Sequence, residues 1–422
     1  MNKSYKSIKI CRLCKSRKLI KVLDFGKVPL ANALLKTKKS SNTIPRYQLQ
    51  NNLCKDCGHL QLSISVNPRL MFNNYLYMTN TSNQNLKHFK NYSTTLKKKF
   101  KMLSNSNKFK KKLSILDIAS NDGSFLNFFS KKKFNRLGID PAKNLKIIAE
   151  KKGIKQITAF FSLKESRKIK KRYGQFEIIS ANHVCAHVEN LKDFFLGVKN
   201  LLKQKGIFSF EVSYRGSVIS KNTFDTIYHE HIDYHALKPL KNFIKELGLE
   251  IFDFDLIDAQ GGSIRLYVSK TKNKKNVKKI QKQIKLEDQE LKLYNIFTYN
   301  TFMKNVLNIK KNLNFLLNNL SKKEKIFGYG AAAKSTTLLN YFNINSKIIS
   351  FVVDDNKLKI NKIIPGTNIP IISSKKMKNS GVNTIVILAW NYKKNIISKC
   401  IKILGKKIKF IIPFPEVKFH ND

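Results

Sequence analysis

The sequence is short of acidic residues and of arginine. Asp and Glu number 27 against 81 Lys and Arg, which gives a formal net charge of +54, and only nine of the basic residues are Arg. Arginine is the residue whose planar fork reads phosphate and guanine, and the chain shows none of the aromatic RNP motifs on which RNA bases stack. The lysine excess suits a phosphorylated substrate. We therefore expect no nucleic-acid partner. The alternative, from a different functional class, is a zinc-ribbon protein that binds RNA or DNA.

Long apolar runs are also missing. The chain has no stretch of about eighteen apolar residues, which excludes a transmembrane helix. The amino-terminal residues 1–6 lack the apolar core of a signal peptide, so we expect a cytoplasmic protein with no membrane partner. At 422 residues, 42% of them hydrophobic, the chain is too long for one core and predicts two or three domains. The sequence does not set an oligomeric state, and a monomer is compatible with it.

Cysteines are few, but four of the six form two CxxC pairs. Disulfides are rare in the cytosol, so two such pairs predict a tetrahedral zinc site. Four thiolates complete the shell, which makes the zinc structural and leaves His59 outside it. A redox CxxC would need one pair in a thioredoxin-like βαβ unit, a context that is absent here. The predicted ligands are Cys11, Cys14, Cys54 and Cys57, and the remaining Cys185 and Cys400 are expected to be buried thiols.

After the cysteines, strand-like and helix-like segments alternate, which is typical of an open parallel α/β sheet. A polar, Lys-rich helical region at 272–320 is interpreted as a connector. We predict an α/β protein with a zinc-binding module (1–75), a Rossmann-like domain (76–295) and a second Rossmann-like domain (296–422). The predicted strands lie at 18–25, 113–119, 136–140, 176–181, 206–212, 262–268, 325–330, 348–353 and 383–388.

The strand at 113–119 runs into a loop with a cofactor signature. Residues 115–124 read ILDIASNDGS, with a carboxylate at the strand end and a glycine turn before a helix, as in the first loop of Rossmann-type domains. Ala119 and Asn121 stand where a dinucleotide site has glycines, which favours S-adenosylmethionine (SAM), and Asp140 ends the next strand, where a carboxylate binds ribose hydroxyls. A routine strand–helix turn is the alternative. The predicted SAM-binding residues are Asp117, Ala119, Asn121, Gly123, Asp140 and Asn182.

Two further turns lie at strand ends. The loop 180–187 follows the strand at 176–181, so His187 can face a substrate, although a structural role is equally open. The segment 327–335, FGYGAAAKS, is a strand-to-helix glycine turn followed by a lysine. Amides at such a helix start suit a phosphate, which predicts that Gly328, Gly330 and Lys334 bind substrate. The alternative is a structural turn, and the glycine-to-lysine spacing excludes a Walker A loop.

The segment 226–235, TIYHEHIDYH, is the densest in chemically active side chains, with three histidines, two carboxylates and two tyrosines. A polar group buried without a partner costs a few kcal/mol, so this density indicates a site. Three interpretations are open from the residues alone: proton-transfer chemistry, a metal cluster, or a solvated His-rich turn.

Taken together in this order, CxxC…CxxCG, LDIASNDGSFL, GIDPA, ANHVCAHV, YHEHIDY and FGYGAAAKS resemble the sugar-nucleotide C-methyltransferases of deoxysugar biosynthesis. The resemblance runs over essentially the whole chain. It implies a zinc module, a central SAM methyltransferase domain and a carboxy-terminal Rossmann-like domain that binds a nucleotide-sugar substrate through its diphosphate. It also implies that His231 removes the C3 proton of a 4-keto sugar, with Tyr228, Glu230 and His187 at supporting positions.

Elementary chemistry agrees with that implication. A carbon becomes nucleophilic when an adjacent ketone acidifies its proton and a base such as histidine removes it. Tyr228 can donate to the enolate oxygen, and Glu230 can orient a histidine or bind a sugar hydroxyl, whereas His229 is expected to point away. The residues do not decide between His231 and His187 as the base. Methylation at a sugar oxygen or nitrogen on the same scaffold is the alternative reaction.

Overall fold

The computed structural model describes residues 4–37, 43–72, 83–104, 111–271, 276–405 and 408–421. Its first part is a small β module whose elements are β1 (Tyr5–Ser7), β2 (Leu19–Pro29), β3 (Arg46–Cys54), β4 (Leu60–Leu62), β5 (Ile64–Val66) and helix α1 (Pro68–Phe72). Strands β2, β3 and β4 form an antiparallel sheet, and β1 pairs with β5. The predicted end of this module at residue 75 lies outside the described residues.

The central part is a seven-stranded sheet with helices on its faces. Its elements are α2 (Asn83–Ser104), β6 (Leu113–Ile118), β7 (Phe134–Ile139), α3 (Lys143–Lys151), β8 (Lys155–Ile157), α4 (Leu163–Tyr173), β9 (Phe176–Asn182), α5 (Leu191–Leu201), β10 (Leu202–Ser213), α6 (Arg215–Ser220), β11 (Asp233–Tyr234), α7 (Leu237–Glu246), β12 (Glu250–Ile257), β13 (Ser263–Ser269) and α8 (Val277–Lys285).

The strand order in this sheet is β12-β13-β10-β9-β6-β7-β8. Strands β6 to β10 are parallel, as predicted, because each apolar run is buried on both faces by crossover helices. Strand β13 closes the sheet antiparallel to both β10 and β12. The sequence did not predict the short β8 or the strand β12. The two-residue β11 leaves this sheet and pairs with β4 of the amino-terminal module.

The carboxy-terminal part is a second α/β unit. Its elements are α9 (Ile296–Ser321), β14 (Ile326–Tyr329), α10 (Ala333–Phe342), β15 (Phe351–Val353), β16 (Ile371–Ile372), β17 (Thr384–Ile387), α11 (Lys393–Leu404), β18 (Lys409–Ile412) and β19 (Lys418–Asn421). The sheet order is β16-β15-β14-β17-β18-β19, with only β19 antiparallel. All three strands predicted here are present.

Helix α9 corrects the prediction of a polar connector at 272–320. Its Lys and Asn residues lie on one side, while an apolar stripe at helical spacing is buried in the carboxy-terminal core. The composition of the segment concealed this stripe because lysines and asparagines alternate with the apolar positions. The buried residues of α9 are Tyr299, Phe302, Val306, Ile309, Leu313 and Leu317.

The amino-terminal module contacts both of the other parts. Val22, Leu23 and Phe25 of β2 share one core with the carboxy-terminal sheet. Cys11 and Leu13 share another with the central sheet. The zinc-cysteine segment is thus packed against the central domain. Within the described residues, no helix is long and apolar enough to cross a bilayer.

Candidate active site

In each of the two parallel sheets, the order of the strands changes direction beside one strand. The crevices at these two points form one cavity. In the central sheet the reversal lies between β6 and β9, and in the carboxy-terminal sheet it lies beside β14. Crevices at such points, outside the carboxyl ends of the strands, are where open α/β sheets bind ligands. The cavity has a volume of about 1740 Å³, and residues from all three parts of the chain line it.

The four predicted cysteines form a cluster that fits a tetrahedral metal ion. Their sulfur atoms all lie within 4.8 Å of one another. The Sγ atoms of Cys11 and Cys57 are 3.5 Å apart, and those of Cys14 and Cys54 are 3.6 Å apart, close to the edge of a tetrahedron with Zn–S bonds of about 2.3 Å. The turn after Cys57 uses Gly58 at φ +74°. His59 lies outside the cluster, as expected, and its Nε2 contacts Asp233 Oδ1 at 2.8 Å.

The loop after β6 presents polar groups to the cavity. Asp117, Ala119 and Asn121 all line it. Ala119 and Asn121 adopt the left-handed backbone conformation, with φ of 56° and 52°, so the loop has a glycine-like shape although it lacks glycines at these positions. Burial raises the pKa of Asp117 to about 7, against a hydrogen bond from the Ser180 hydroxyl that lowers it.

Asp140 and Asn182 complete this wall of the cavity. The Asp140 carboxylate accepts hydrogen bonds from the Asn121 and Ala142 amides, at 2.9 Å and 2.8 Å, which hold it at the end of β7. Burial raises its pKa. The side-chain oxygen of Asn182 is buried and has no hydrogen-bond partner among the described residues. A fixed carboxylate for ribose hydroxyls and an orphaned acceptor for an ammonium group fit SAM.

Gly123 was predicted to bind the cofactor and Gly328 the substrate, but neither lines the cavity. Within the described part of the chain, both contact buried side chains instead of the cavity. A Cβ at Gly123 would lie 3.1 Å from Ile154, and one at Gly328 would lie 2.7 Å from Leu388. Their contribution is therefore close packing and, at Gly123, a turn with φ +72°.

Tyr228 and His231 form a hydrogen-bonded pair in the cavity wall. His231 Nδ1 donates to the Thr226 carbonyl at 2.8 Å, so Nε2 is the acceptor and receives the Tyr228 hydroxyl at 3.0 Å. The two ring centroids are 4.1 Å apart. Burial, followed by the neighbouring His187, holds the pKa of His231 well below its ordinary value. His231 is consequently neutral near pH 7 and can take up a proton at Nε2.

His187 stands beside this pair. Its Nδ1 donates to the Glu230 carbonyl at 2.6 Å, which leaves Nε2 as an acceptor. The ring centroid lies 4.9 Å from that of His231, and Phe72 packs edge-on against its other side. Burial lowers the pKa of His187 to about 4. The structure thus brings together both candidate bases.

The Glu230 side chain reaches the amino-terminal module. Its Oε1 accepts a hydrogen bond of 2.6 Å from the Asn32 side-chain amide. Burial raises the pKa of Glu230 to about 7, while Asn32 and the more distant Lys359 lower it. Both partners also line the cavity. This carboxyl group therefore changes charge close to physiological pH.

The other histidines of the motif are structural. His229 is buried and contacts the Tyr47 and Gln48 carbonyls at 3.2 Å and 3.3 Å, pointing away from the cavity as expected. His235 stacks on His59. In the described ranges, the four cysteines are the sole group with metal-ligand geometry, which argues against a metal cluster at residues 226–235. Most residues of the segment 226–235 are buried, which also excludes a solvated turn.

The carboxy-terminal turn supplies the far wall of the cavity. Gly330, at φ +99°, and Lys334 at the start of α10 line it. The Lys334 ammonium lies 3.8 Å over the Trp390 ring and contacts the Asn391 side chain. Burial lowers the pKa of Lys334, against the attraction of Asp225. Four more lysines of this part line the cavity: Lys359, Lys393, Lys394 and Lys399.

Several lining residues were missed by the sequence interpretation. Asn32 and Phe72 belong to the amino-terminal module, and Lys359 and Trp390 to the carboxy-terminal unit. Each is an isolated residue without a motif around it, and only the fold brings it to the site. Trp390 is the single Trp of the chain, and this rarity was the one signal in the sequence that could have pointed to it. In the structure its Nε1 donates to the buried Asp225 at 2.8 Å.

Comparison with known proteins agrees with this architecture. The chain matches, in order, family models of a zinc-binding domain (residues 11–72), a methyltransferase domain (87–254) and a C-methyltransferase C-terminal domain (258–415). C-methyltransferase NovU of Streptomyces niveus is 27% identical over 407 residues, which cover 96% of this chain and 95% of that protein.

Solved structures of methyltransferases match part of the chain at low identity. A SAM-dependent methyltransferase from Clostridium acetobutylicum is 16% identical, with a TM-score of 0.33, and the match covers 43% of this chain and 91% of that one. Magnesium protoporphyrin IX methyltransferase (ChlM) of Synechocystis, solved with bound S-adenosylhomocysteine, is 12% identical, with a TM-score of 0.34 over 44% and 86% of the two chains.

The sheet order, the cavity at its reversal and the methyltransferase-domain match define a SAM-dependent methyltransferase with a zinc-binding domain, whose four clustered cysteines fit the metal. More narrowly, the order of the three matched models and the similarity to NovU support a C-methyltransferase family with an amino-terminal zinc-binding domain.

Proposed function

We propose that this C-methyltransferase acts on a nucleotide-linked 4-keto deoxysugar, with His231 removing the C3 proton and the enolate taking the methyl group. The Tyr228–His231 pair carries the proposal. The hydroxyl and Nε2 lie 3.0 Å apart on one wall of the cavity. A ketone oxygen and the hydrogen-bearing carbon beside the ketone are two bonds apart, so one substrate can meet both groups.

The proton transfer follows from the tautomer of His231. Because Nδ1 donates to Thr226, Nε2 carries the lone pair. When the substrate ketone takes the Tyr228 hydroxyl, Nε2 is released to face C3–H. The C3–H bond breaks, its proton moves to Nε2, and the electron pair delocalises onto the ketone oxygen, where Tyr228 stabilises it. The negative enolate in turn favours the protonated imidazole that burial alone disfavours.

SAM, when bound, would supply an electrophilic methyl group to C3 and leave as S-adenosylhomocysteine. The residues proposed to hold it are those of the β6, β7 and β9 loops: Asp117, Ala119, Asn121, Asp140 and Asn182, with Gly123 shaping the first turn. They line the same cavity as His231. Cofactor and base can therefore act on one substrate.

Glu230 and His187 support the sugar in this proposal. The Glu230 carboxylate, held by Asn32, can accept a hydrogen bond from a sugar hydroxyl. His187 lies beside His231 and keeps an acceptor nitrogen of its own. It is the rival base, and single variants of the two histidines separate them.

The nucleotide end of the substrate is assigned to the carboxy-terminal wall. The first residues of α10 place backbone amides at the cavity, which favours a diphosphate. Gly330 lines the cavity beside them, and its own amide donates to the Val353 carbonyl at 2.7 Å. Lys334 adds a half-buried positive charge, and Lys393 and Lys394 add more. Lys359 and Lys399 of the same wall are paired with Asp354 and Asp355. Gly328 contributes to this turn only by letting β14 pack closely.

The proposal is tested by incubating the protein with SAM and dTDP-, CDP- and GDP-4-keto sugars. Mass spectrometry should show one added methyl group on one of the sugars, and NMR should place it on carbon. In deuterium oxide without SAM, the C3 proton should exchange with solvent. A methyl group on oxygen or nitrogen, without C3 exchange, would instead establish the O- or N-methyltransferase alternative. Methylation of none of the sugars would remove the substrate class.

A further inference from the structure

The zinc module makes a direct connection to the two segments that carry the histidines. Arg12 lies between the zinc ligands Cys11 and Cys14. Its Nε donates to Asp233 Oδ1 at 2.8 Å, and Asp233 follows His231 by two residues. The exposed fractions of the two side chains are 10% for Arg12 and 0% for Asp233. This ion pair is therefore shielded from water.

The same guanidinium also holds the other histidine segment. Arg12 Nη1 donates to the Glu189 carbonyl at 2.9 Å, and Nη2 donates to the Val188 carbonyl. These carbonyls follow His187 directly. The three side-chain hydrogen bonds of Arg12 thus all go to the two histidine segments, which we define as residues 183–190 and 226–235.

Further contacts join the two segments to each other. The Ile232 amide donates to the Ala186 carbonyl at 2.8 Å, and His187 donates to the Glu230 carbonyl at 2.6 Å. On the module's side, the Arg12 amide donates to the Gln61 side chain at 2.8 Å, which anchors the arginine backbone to β4. A shift of Arg12 would consequently move both histidines.

We infer that Arg12 is a positioning residue through which the zinc module sets the relative placement of His187 and His231. The inference rests on the proposed function for its catalytic consequence, but its structural part stands independently. The planar guanidinium donates to three acceptors from three separate nitrogens in fixed directions, whereas all the donors of lysine lie on one nitrogen. Errors of about 1 Å in placing a base cost on the order of 10²-fold in rate, so the loss of this fork should lower kcat.

The test compares Arg12→Met and Arg12→Lys in the full-length protein, with Arg17→Met as matched control. Arg17 is exposed and lies in the same module. Each variant is measured for zinc content, SAM affinity, kcat and KM, and deuterium uptake of peptides from both histidine segments. Arg12→Met should retain one zinc per chain and bind SAM within about twofold of wild type. It should lose protection in both segments, and kcat should fall about 10–100-fold. Arg12→Lys should lie between, and Arg17→Met should match wild type.

A second variant guards against failure of Arg12→Met to fold. Asp233→Asn changes no residue of the zinc module and removes the charge that Arg12 and His59 share, so it should loosen segment 226–235 and lower kcat by a smaller factor. Wild-type protection of both segments in Arg12→Met, or in Asp233→Asn if Arg12→Met does not fold, overturns the inference. The inference is also overturned if the segments lose protection while kcat stays unchanged. If no sugar is a substrate, the proposed function fails, whereas deuterium uptake still decides the placement role.

Discussion

The Tyr228 hydroxyl donates to Nε2 of His231 across 3.0 Å, and Nδ1 of the same ring donates to the Thr226 carbonyl. This pairing gives the histidine one defined tautomer with its acceptor nitrogen on the cavity side. A ketone that enolises needs a hydrogen-bond donor at its oxygen and a base at the neighbouring C–H, and a hydroxyl and an imidazole nitrogen at this spacing can supply both.

Tyr228→Phe should retain the fold and SAM affinity but lose the donor to the enolate oxygen. Removal of one such donor costs about 10²–10³ in rate, and water can replace part of it here, so we expect kcat to fall about 10²-fold. Steady-state kinetics on the identified substrate checks this. Tyr5→Phe, which alters an exposed tyrosine, serves as control. Equal kcat values for the two variants would remove Tyr228 from the mechanism.

Glu230 should give the reaction a pH dependence near 7. Burial raises the pKa of Glu230 to about 7, so the carboxylate proposed to accept a sugar hydroxyl forms as the pH rises through that value. At saturating SAM, kcat/KM should therefore increase between about pH 6 and 8. Glu230→Gln should lose this step. Asn32 lowers the pKa, so Asn32→Ala should shift the step to higher pH, and a shift to lower pH would contradict the assignment.

Asp140 should govern SAM affinity in the absence of substrate. Asp140→Ala removes a charged hydrogen-bonding group worth about 1.5–3 kcal/mol, which corresponds to a Kd raised about 10–100-fold. Isothermal calorimetry with SAM measures this directly. Asp288→Ala, which removes a half-exposed carboxylate, is the control. Unchanged SAM affinity in Asp140→Ala would mean that the cofactor lies elsewhere in the cavity.

Zinc should be present at one ion per chain and should stabilise the amino-terminal module. Cys54→Ser removes one of four thiolate ligands, and structural zinc contributes directly to folding, so the variant should lose zinc and melt at lower temperature. Metal analysis and thermal unfolding check both. Cys400→Ala, which changes a buried thiol outside the cluster, should retain its zinc. Freshly purified wild-type protein without zinc would refute the site.

Local sequence patterns predicted a large part of this structure. The CxxC pairs, the turn at Asn121 and the turn at Gly330 are each short segments whose residue types require a particular backbone shape. The strand at 113–118 and its parallel neighbours follow from apolar runs bounded by turn residues. For such features the chemistry and the geometry lie within a few residues of each other.

Contacts between distant segments could not be predicted in this way. Asn32 and Glu230 are 198 residues apart in the chain, and Arg12 and Asp233 are 221 apart. Each pair depends on how the zinc module docks on the central sheet, which in turn depends on the pairing of β11 with β4. A two-residue strand carries no periodicity. Helix α9 was misinterpreted because its lysines conceal a buried stripe.

The most direct test of the account is exchange of the substrate C3 proton in single variants of the two candidate bases. In deuterium oxide without SAM, NMR should show that His231→Asn abolishes C3 exchange. With SAM added, its rate of methyl transfer should fall by about 10²–10⁴, while SAM affinity stays at the wild-type value. His187→Asn should still exchange. If His231→Asn exchanges the C3 proton at the wild-type rate while His187→Asn does not, His187 is the base and the central claim is wrong.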